Sequence, residues 1–497
     1  MKILSLNSIK KTISLVSLAL ILVGCENKSS EDKITTAKPY ENQSITIITP
    51  NLGGKISDPI IDEAKKFESK TGATIRVLTP SWSDTIEKTK QSLNDDKINF
   101  DIYVIISSWG GSLLGQDHIE PIPQWVKDKI DWDDVLPIYK DSILSWNNVN
   151  YSLPYDGDCI SLYYRKDIFE NKTNQENFKK QYGYELQAPK TWDQYKDIAK
   201  FFNGWDWDND GKIEYGIAGS RLKGYGTMLH FFTRAATYVK HPNDKAYYFD
   251  TDTMKPRINN PGFVKALEDY IEIMKYAPKE IKKFSPGNVR NSFIQGEVAM
   301  VIDWANTGTM AVTEKSSVVK DKVGYASLPD SNIVYNSKTA KWDNIYNSPS
   351  SVSGNWTILV NKNSKNKKLA FDFASHMASK EITTKLISQG WTGVNPSRSS
   401  HFENIDNLVQ SGFSKNSAKE YLDVLQNELK NKNIVMDLRI PGSDRYYSAL
   451  SKYIDKTINE NLSVKEALDI AAKEWDKITD SLGREQQTKL YKESINE

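Results

Sequence analysis

Asp303 and Trp304 set a carboxylate beside the largest flat side chain, at the end of the apolar run Val298 to Ile302. A carboxylate accepts hydrogen bonds from hydroxyls, and an indole face packs on the C–H side of a ring. The pair suits a polar ligand with an apolar face, and a sugar has both. The same two residues could equally be a core tryptophan and a strand-end cap, so their surroundings must decide. Trp82, in Ser81-Trp82-Ser83-Asp84, and Trp109, in Ser107-Ser108-Trp109-Gly110-Gly111, each stand in a turn leaving a strand. Ligands of open α/β sheets bind outside the carboxyl ends of strands, which favours ligand contact for both rings.

The elements that must position these residues follow from periodicity. Ser44 to Thr49 is a β-branched strand, Ile60, Ala64 and Phe67 recur at helical spacing, and Gly72 stops that helix. Thr74 to Leu78 returns as a strand, a helix runs from about Asp84 to Leu93, and Phe100 to Ile106 is a third strand. This β-α-β-α-β order predicts a mostly parallel sheet with helical crossovers. Farther on, Ser292 to Gln295 is helix-compatible, Gly296 ends the turn, and Val298 to Ile302 reads as a buried strand that delivers Asp303 and Trp304.

Composition narrows the class. The chain has 497 residues, enough for two lobes of roughly 200 residues each. Lys+Arg 65 against Asp+Glu 64 leaves no electrostatic footprint for nucleic acid, and 13 Trp with 25 Tyr supply stacking surfaces. Lys2, Lys10 and Lys11 precede an apolar run from Ile13 to Val23 that is too short to span a bilayer comfortably. Leu22-Val23-Gly24-Cys25 resembles the bacterial lipobox, which implies a signal peptide over 1–24 and lipidation of Cys25. Two or more acyl chains at about 0.8 kcal/mol per buried methylene would anchor the protein to a membrane. Glu26 to Gln43 is polar, so 25–43 reads as a flexible tether. With Cys25 modified, Cys159 has no partner for an intrachain disulfide.

Several blocks together resemble the extracellular solute-binding proteins, receptors of sugar-type ABC importers akin to maltose-binding protein. Gly296 to Trp304 resembles that family's Gly-x-Ala-Ala-Met segment followed by Trp. Leu162 to Phe169 resembles its crossing strand, with Arg165 where Asn is usual. Ala188 to Asp193, Gly324 to Pro329, Gly354 to Phe373 and Gln389 to Ser397 resemble further blocks in the same order. The resemblance implies an α/β, two-lobed type II periplasmic-binding-protein-like fold, each lobe a mostly parallel sheet flanked by helices and joined by a hinge. It places lobe I at 44–155 and 355–390, and lobe II at 156–354 and 391–497. It further implies that Tyr155, Asp156, Trp356 and Trp391 line the cleft with Trp82, Trp109, Asp303 and Trp304. Arg439, in a later loop, could donate to hydroxyls or pair with a carboxylate.

The function so implied is capture of a mono- or oligosaccharide and delivery to an ABC permease, by a monomer tethered outside the cytoplasmic membrane. A peptide or polyamine receptor is the alternative. A secreted glycosidase using Asp156 and Asp303 as acid and base is a rival. No nucleophile elbow, no His-Glu-x-x-His and only 5 His argue against an enzyme. A lipid-anchored adhesin is a third reading. No cofactor is required, but Asp206, Asp208, Asp210 and Glu214 lie in Asp-Trp-Asp-Asn-Asp-Gly-Lys-Ile-Glu, the first half of a calcium loop. The twelfth position is Ile217 where a bidentate Glu is wanted, so a structural calcium is an open expectation, and an ordinary Asp-Gly turn is the other.

Overall fold

The computed structural model describes residues 38–94 and 99–497, and Pro39–Glu497 forms one compact unit. Cys25, the expected signal peptide over 1–24 and all but the end of the expected tether lie outside the described residues. Among the described residues no helix is long and apolar enough to cross a membrane.

Nine strands build the two main sheets: β1 (Ser44–Ile48), β2 (Thr74–Leu78), β3 (Ile102–Ile106), β4 (Ser152–Pro154), β5 (Ile160–Arg165), β6 (Tyr215–Ala218), β7 (Val298–Trp304), β8 (Val323–Ala326) and β9 (Trp356–Val360). The first sheet has the order β2-β1-β3-β9-β4, and the second β8-β5-β7-β6. Each is flanked by helices whose apolar faces fill two clusters of buried residues.

The expectation of mostly parallel sheets is corrected. β1 pairs parallel with β2 and β3, but β9 runs antiparallel to both β3 and β4. In the second sheet only β6 and β7 are parallel; β5 is antiparallel to β7 and β8. The reason is the route of the chain. Strands wound locally by β-α-β units end at the cleft, whereas β5 and β9 enter from the cleft. Ile160 at the start of β5 pairs with Trp304 at the end of β7, and Trp356 at the start of β9 pairs with Ile106 at the end of β3.

Helices α1 (Ser57–Thr71), α2 (Trp82–Ser92), α3 (Ser107–Leu114), α4 (Tyr225–Val239), α5 (Pro286–Ile294) and α6 (Ser443–Glu460) border the site. Ser81 caps α2 by accepting from the Asp84 N–H at 3.2 Å, so Trp82 opens a helix rather than standing in a turn. Trp109 likewise belongs to α3. The close approach of α3 to the 439–440 backbone requires Gly111: a Cβ there would lie 2.5 Å from the Arg439 carbonyl oxygen.

Two expected boundaries move. Tyr40, within the expected tether, is packed on the first lobe: its ring meets Phe67 at 6.5 Å and its hydroxyl bonds Asp372. The stretch 391–401, expected in lobe II, is held by lobe I. Leu136 N–H donates to Ser397 O at 3.0 Å, Ser399 N–H to Asp134 O at 2.8 Å, and Arg398 Nη1 to Asp131 O at 3.2 Å. Arg398 is fully buried, and lobe I holds the acceptors that its guanidinium needs.

Candidate ligand site

Two adjoining cavities open where the two sheets face each other. The larger, about 530 Å³, is walled by Leu52, Lys55, Trp82 and Trp356 on one side and Asp158, Tyr225, Arg290, Trp304 and Asn306 on the other. The smaller, about 280 Å³, is walled by Trp82, Trp109, Tyr225 and Tyr447. Trp82, Gly224 and Tyr225 belong to both.

Trp82 is the centre of the aromatic wall. Its ring lies 4.4 Å from Trp109, 5.6 Å from Tyr225 and 6.2 Å from Trp356, edge-on to both tryptophans. Trp304 is fixed by its indole N–H, which donates to Ser353 O at 2.9 Å. Gly354 makes that approach feasible: its φ of +88° is one L side chains rarely adopt, and a Cβ would lie 2.7 Å from Trp304 Nε1.

The polar wall is organised by buried carboxylates that stand behind it. Asp303 is fully buried and does not reach the cavity. Its Oδ2 accepts from Arg290 Nε at 2.9 Å and from Thr307 Oγ1 at 3.0 Å, while Oδ1 lies 3.5 Å from His230 Nε2. Burial works to raise its carboxyl, but the Arg290 guanidinium and His230 outweigh burial and hold it below the usual range. Asp303 therefore orients Arg290, which does line the cavity.

Asp156 is also buried behind the wall, and its Oδ1 accepts from Asn395 N–H at 2.8 Å and Nδ2 at 3.0 Å. The same Nδ2 donates to Asp158 Oδ1 at 2.7 Å, and it is Asp158 that faces the cavity. Burial raises both carboxyls; Asp158 lies well above the ordinary range, first from burial and then from the neighbouring Asp156 charge, whereas hydrogen bonds with Asp158 and Asn395 offset part of the rise at Asp156.

Of the residues expected at the site, Trp82, Trp109, Trp304 and Trp356 line the two cavities. Asp303 and Asp156 stand one layer behind. Three others are placed elsewhere. Tyr155 is fully buried and donates to Ile56 O at 3.0 Å, so it positions a lining residue. Trp391 is 38% exposed and outside the cavity wall, offering only its carbonyl to Lys55 Nζ at 3.2 Å. Arg439 is buried against main-chain carbonyls, donating to Ile143 O at 2.8 Å, to Ser145 O at 3.2 Å and to Ser494 O. It ties chain segments together because a guanidinium with five donors can satisfy several carbonyls at once.

Sequence reasoning missed Lys55, Asp158, Tyr225 and Arg290. Asp158 lies two residues from Asp156, a spacing that regular extended backbone puts on one face, so nothing in the sequence says that Asp158 reaches the cavity while Asp156 stands behind it. Arg290 has a signal only after Asp303 is known to be buried, since a buried carboxylate needs a partner.

Remote from the cavity, one oxygen from each of Asp206, Asp208, Asp210 and Glu214 falls within a 4.8 Å cluster. Asp206 already accepts from the Asp210 and Gly211 N–H groups at 3.1 and 3.0 Å, and Asp208 Oδ2 from Arg165 at 3.3 Å. Asp208 Oδ1 is buried without a partner, and burial beside the three aspartates pushes Glu214 up to about 7. A hard divalent cation suits this donor set, because it would accept the free oxygen and relieve the crowding of carboxylates.

The family model of the bacterial extracellular solute-binding proteins matches residues 63–411, and the chain belongs to that family. It is thus a binding protein, not an enzyme, as the sequence led us to expect. Its fold is that of the two-lobed solute-binding proteins. A solute-binding protein of an ABC transporter from Agrobacterium radiobacter K84, in complex with ribitol, is 21% identical, with 89% of this chain and 100% of that one covered at a TM-score of 0.71. Maltose-bound MalE3 of T. maritima is 18% identical over 88% of this chain and 99% of its own, with a TM-score of 0.66. The mannitol-binding protein of Pseudomonas aeruginosa is 26% identical over 264 residues, 52% of this chain; the match spans about half of that relative, 51%.

Proposed function

We propose that the chain captures a carbohydrate or polyol between its lobes and presents it to the permease of an ABC importer. The observation that carries this is the arrangement of Trp82, Trp304 and Trp356 around one cavity of about 530 Å³ that also exposes Asp158, Arg290 and Lys55. Aromatic faces take the C–H surfaces of a sugar, and the ionisable groups take its hydroxyls. Relatives named for ribitol, maltose and mannitol support the class. Both lobes supply walls, so a ligand touching both would favour the closed arrangement by its differential affinity, as hinge-closing binding proteins do. Lys90 with Asp444 at 2.7 Å and Ser443 Oγ donating to Ser108 O at 2.9 Å would hold that closure.

The test is isothermal titration of purified protein with maltose, mannitol, ribitol and oligosaccharides, alongside peptides and polyamines. Saturable binding of a saccharide or polyol that Trp82→Ala abolishes supports the reading; binding of a peptide or polyamine alone refutes it. We propose in addition that the protein is a monomer anchored through a lipidated Cys25, which intact-mass analysis of membrane-extracted protein would test. A calcium ion at Asp206, Asp208, Asp210 and Glu214 would be structural, and a lower melting temperature in chelator, restored by calcium, is its signature.

A further inference from the structure

Behind the second sheet lies a cavity of about 40 Å³, separate from the ligand site, walled by Trp192, Ile217, Arg221, His230, Arg234 and Tyr270. Its charge does not balance. Arg221 is buried, and its terminal nitrogens donate to main-chain oxygens, Nη1 to Ser220 O and Nη2 to Tyr270 O, each at 2.9 Å. Among the described residues no carboxylate lies within ion-pair distance of it. Arg234, equally buried, reaches Asp269 Oδ2 only at 3.7 Å, and that oxygen already accepts from Tyr238 and Lys265. His230 is turned to Asp303. The Nε groups of both arginines are buried without a partner. Both guanidiniums lie on aromatic faces, Arg221 at 3.4 Å from the Tyr270 centroid and Arg234 at 4.1 Å from that of Trp192.

From this geometry we infer that the cavity binds a small monovalent anion of the size of chloride. An uncompensated buried charge is expensive, and rings stacked on a guanidinium offset only part of its desolvation. Water could accept from the two Nε groups but carries no charge to offset Arg221. A water needs roughly 10–15 Å³ of such space, so the cavity has room for a chloride-sized ion with a water beside it. Gly219 keeps the cradle open, since a Cβ there would lie 2.8 Å from Arg221 Nη1. The anion would sit between the helices Trp192–Phe201 and α4 and neutralise the face of α4 that carries Arg234.

Crystals of the full chain grown with bromide in place of chloride test this directly. The expected result is an anomalous peak at the bromine edge within hydrogen-bonding reach of Arg221 Nε and Arg234 Nε; density there that refines as water with no anomalous signal overturns the proposal. In solution, protein dialysed free of chloride should melt several degrees lower in gluconate than in chloride at equal ionic strength, because an anion bound to the native state stabilises it. Arg221→Gln should erase that difference. Should that variant fail to fold, Gly219→Ala, which displaces the guanidinium, replaces it with the same expectation. Equal melting of the wild type in the two salts, or a salt difference that persists unchanged in the variant, overturns the proposal.

Discussion

The two walls of the ligand cavity are made differently. The wall built on the first sheet is aromatic and aliphatic: Trp82, Trp356, Leu52 and Ile106, with Lys55 as its one ionisable group. The wall built on the second sheet carries Asp158, Arg290 and Asn306, with Trp304 and Tyr225 between them. The rings of the first wall pack edge-on against one another; the polar groups of the second are held by buried partners behind it, Asp303 for Arg290 and Asn395 for Asp158. Apolar contact gives binding strength with little directional demand, whereas hydrogen bonds from held groups discriminate among hydroxyl patterns. On the proposed function, this division would assign more of the affinity to one lobe and more of the selectivity to the other.

The largest effect that would sharpen this contrast is on the second wall. Asp303→Ala leaves Arg290 without its buried partner and should cost about 3–5 kcal/mol of stability, read from urea unfolding. A loss below about 1 kcal/mol would mean that Arg290 is not held by this pair. Next comes Trp82→Ala, which removes the ring shared by both cavities. Affinity for the best ligand should fall by about 2–4 kcal/mol in calorimetry, with stability changing less than in the Asp303 variant. If instead all ligands keep their affinity, the aromatic wall is not where binding strength resides.

A smaller effect concerns pH. Asp158 has its folded-state pKa raised by burial and by Asp156, so from the ordinary carboxylate range upward the folded chain binds more protons than the unfolded one. Stability must then fall as pH rises through that window. Asp158→Asn should flatten this fall in a series of melting temperatures from acid to neutral pH, whereas Trp82→Ala should leave its slope unchanged. Equal slopes in wild type and Asp158→Asn would break the assignment. The smallest effect is expected for Trp391→Ala: its ring is outside both cavities, and affinity should change by less than about 0.5 kcal/mol in the same titration.

The sequence determined the parts that depend on near neighbours along the chain. Alternating and helical periodicity fixed the first strands and helices, Gly72 ended α1 with φ of +76°, strand ends located Trp82, Trp109 and Trp304, and the family resemblance pointed to Trp356. The order of family-like blocks fixed the class of fold. Tertiary structure alone decided which way side chains on one strand or loop point, so Asp158 and not Asp156 faces the cavity. It also decided that Asp303 binds Arg290 rather than ligand, and that Arg439 spends its donors on main-chain carbonyls. The direction of β5 and β9, and the side on which 391–401 packs, depended on where the chain re-enters each sheet. These are properties of residues far apart in sequence: a buried charge takes its partner from whatever the fold brings within reach, and local pattern carries no record of that choice.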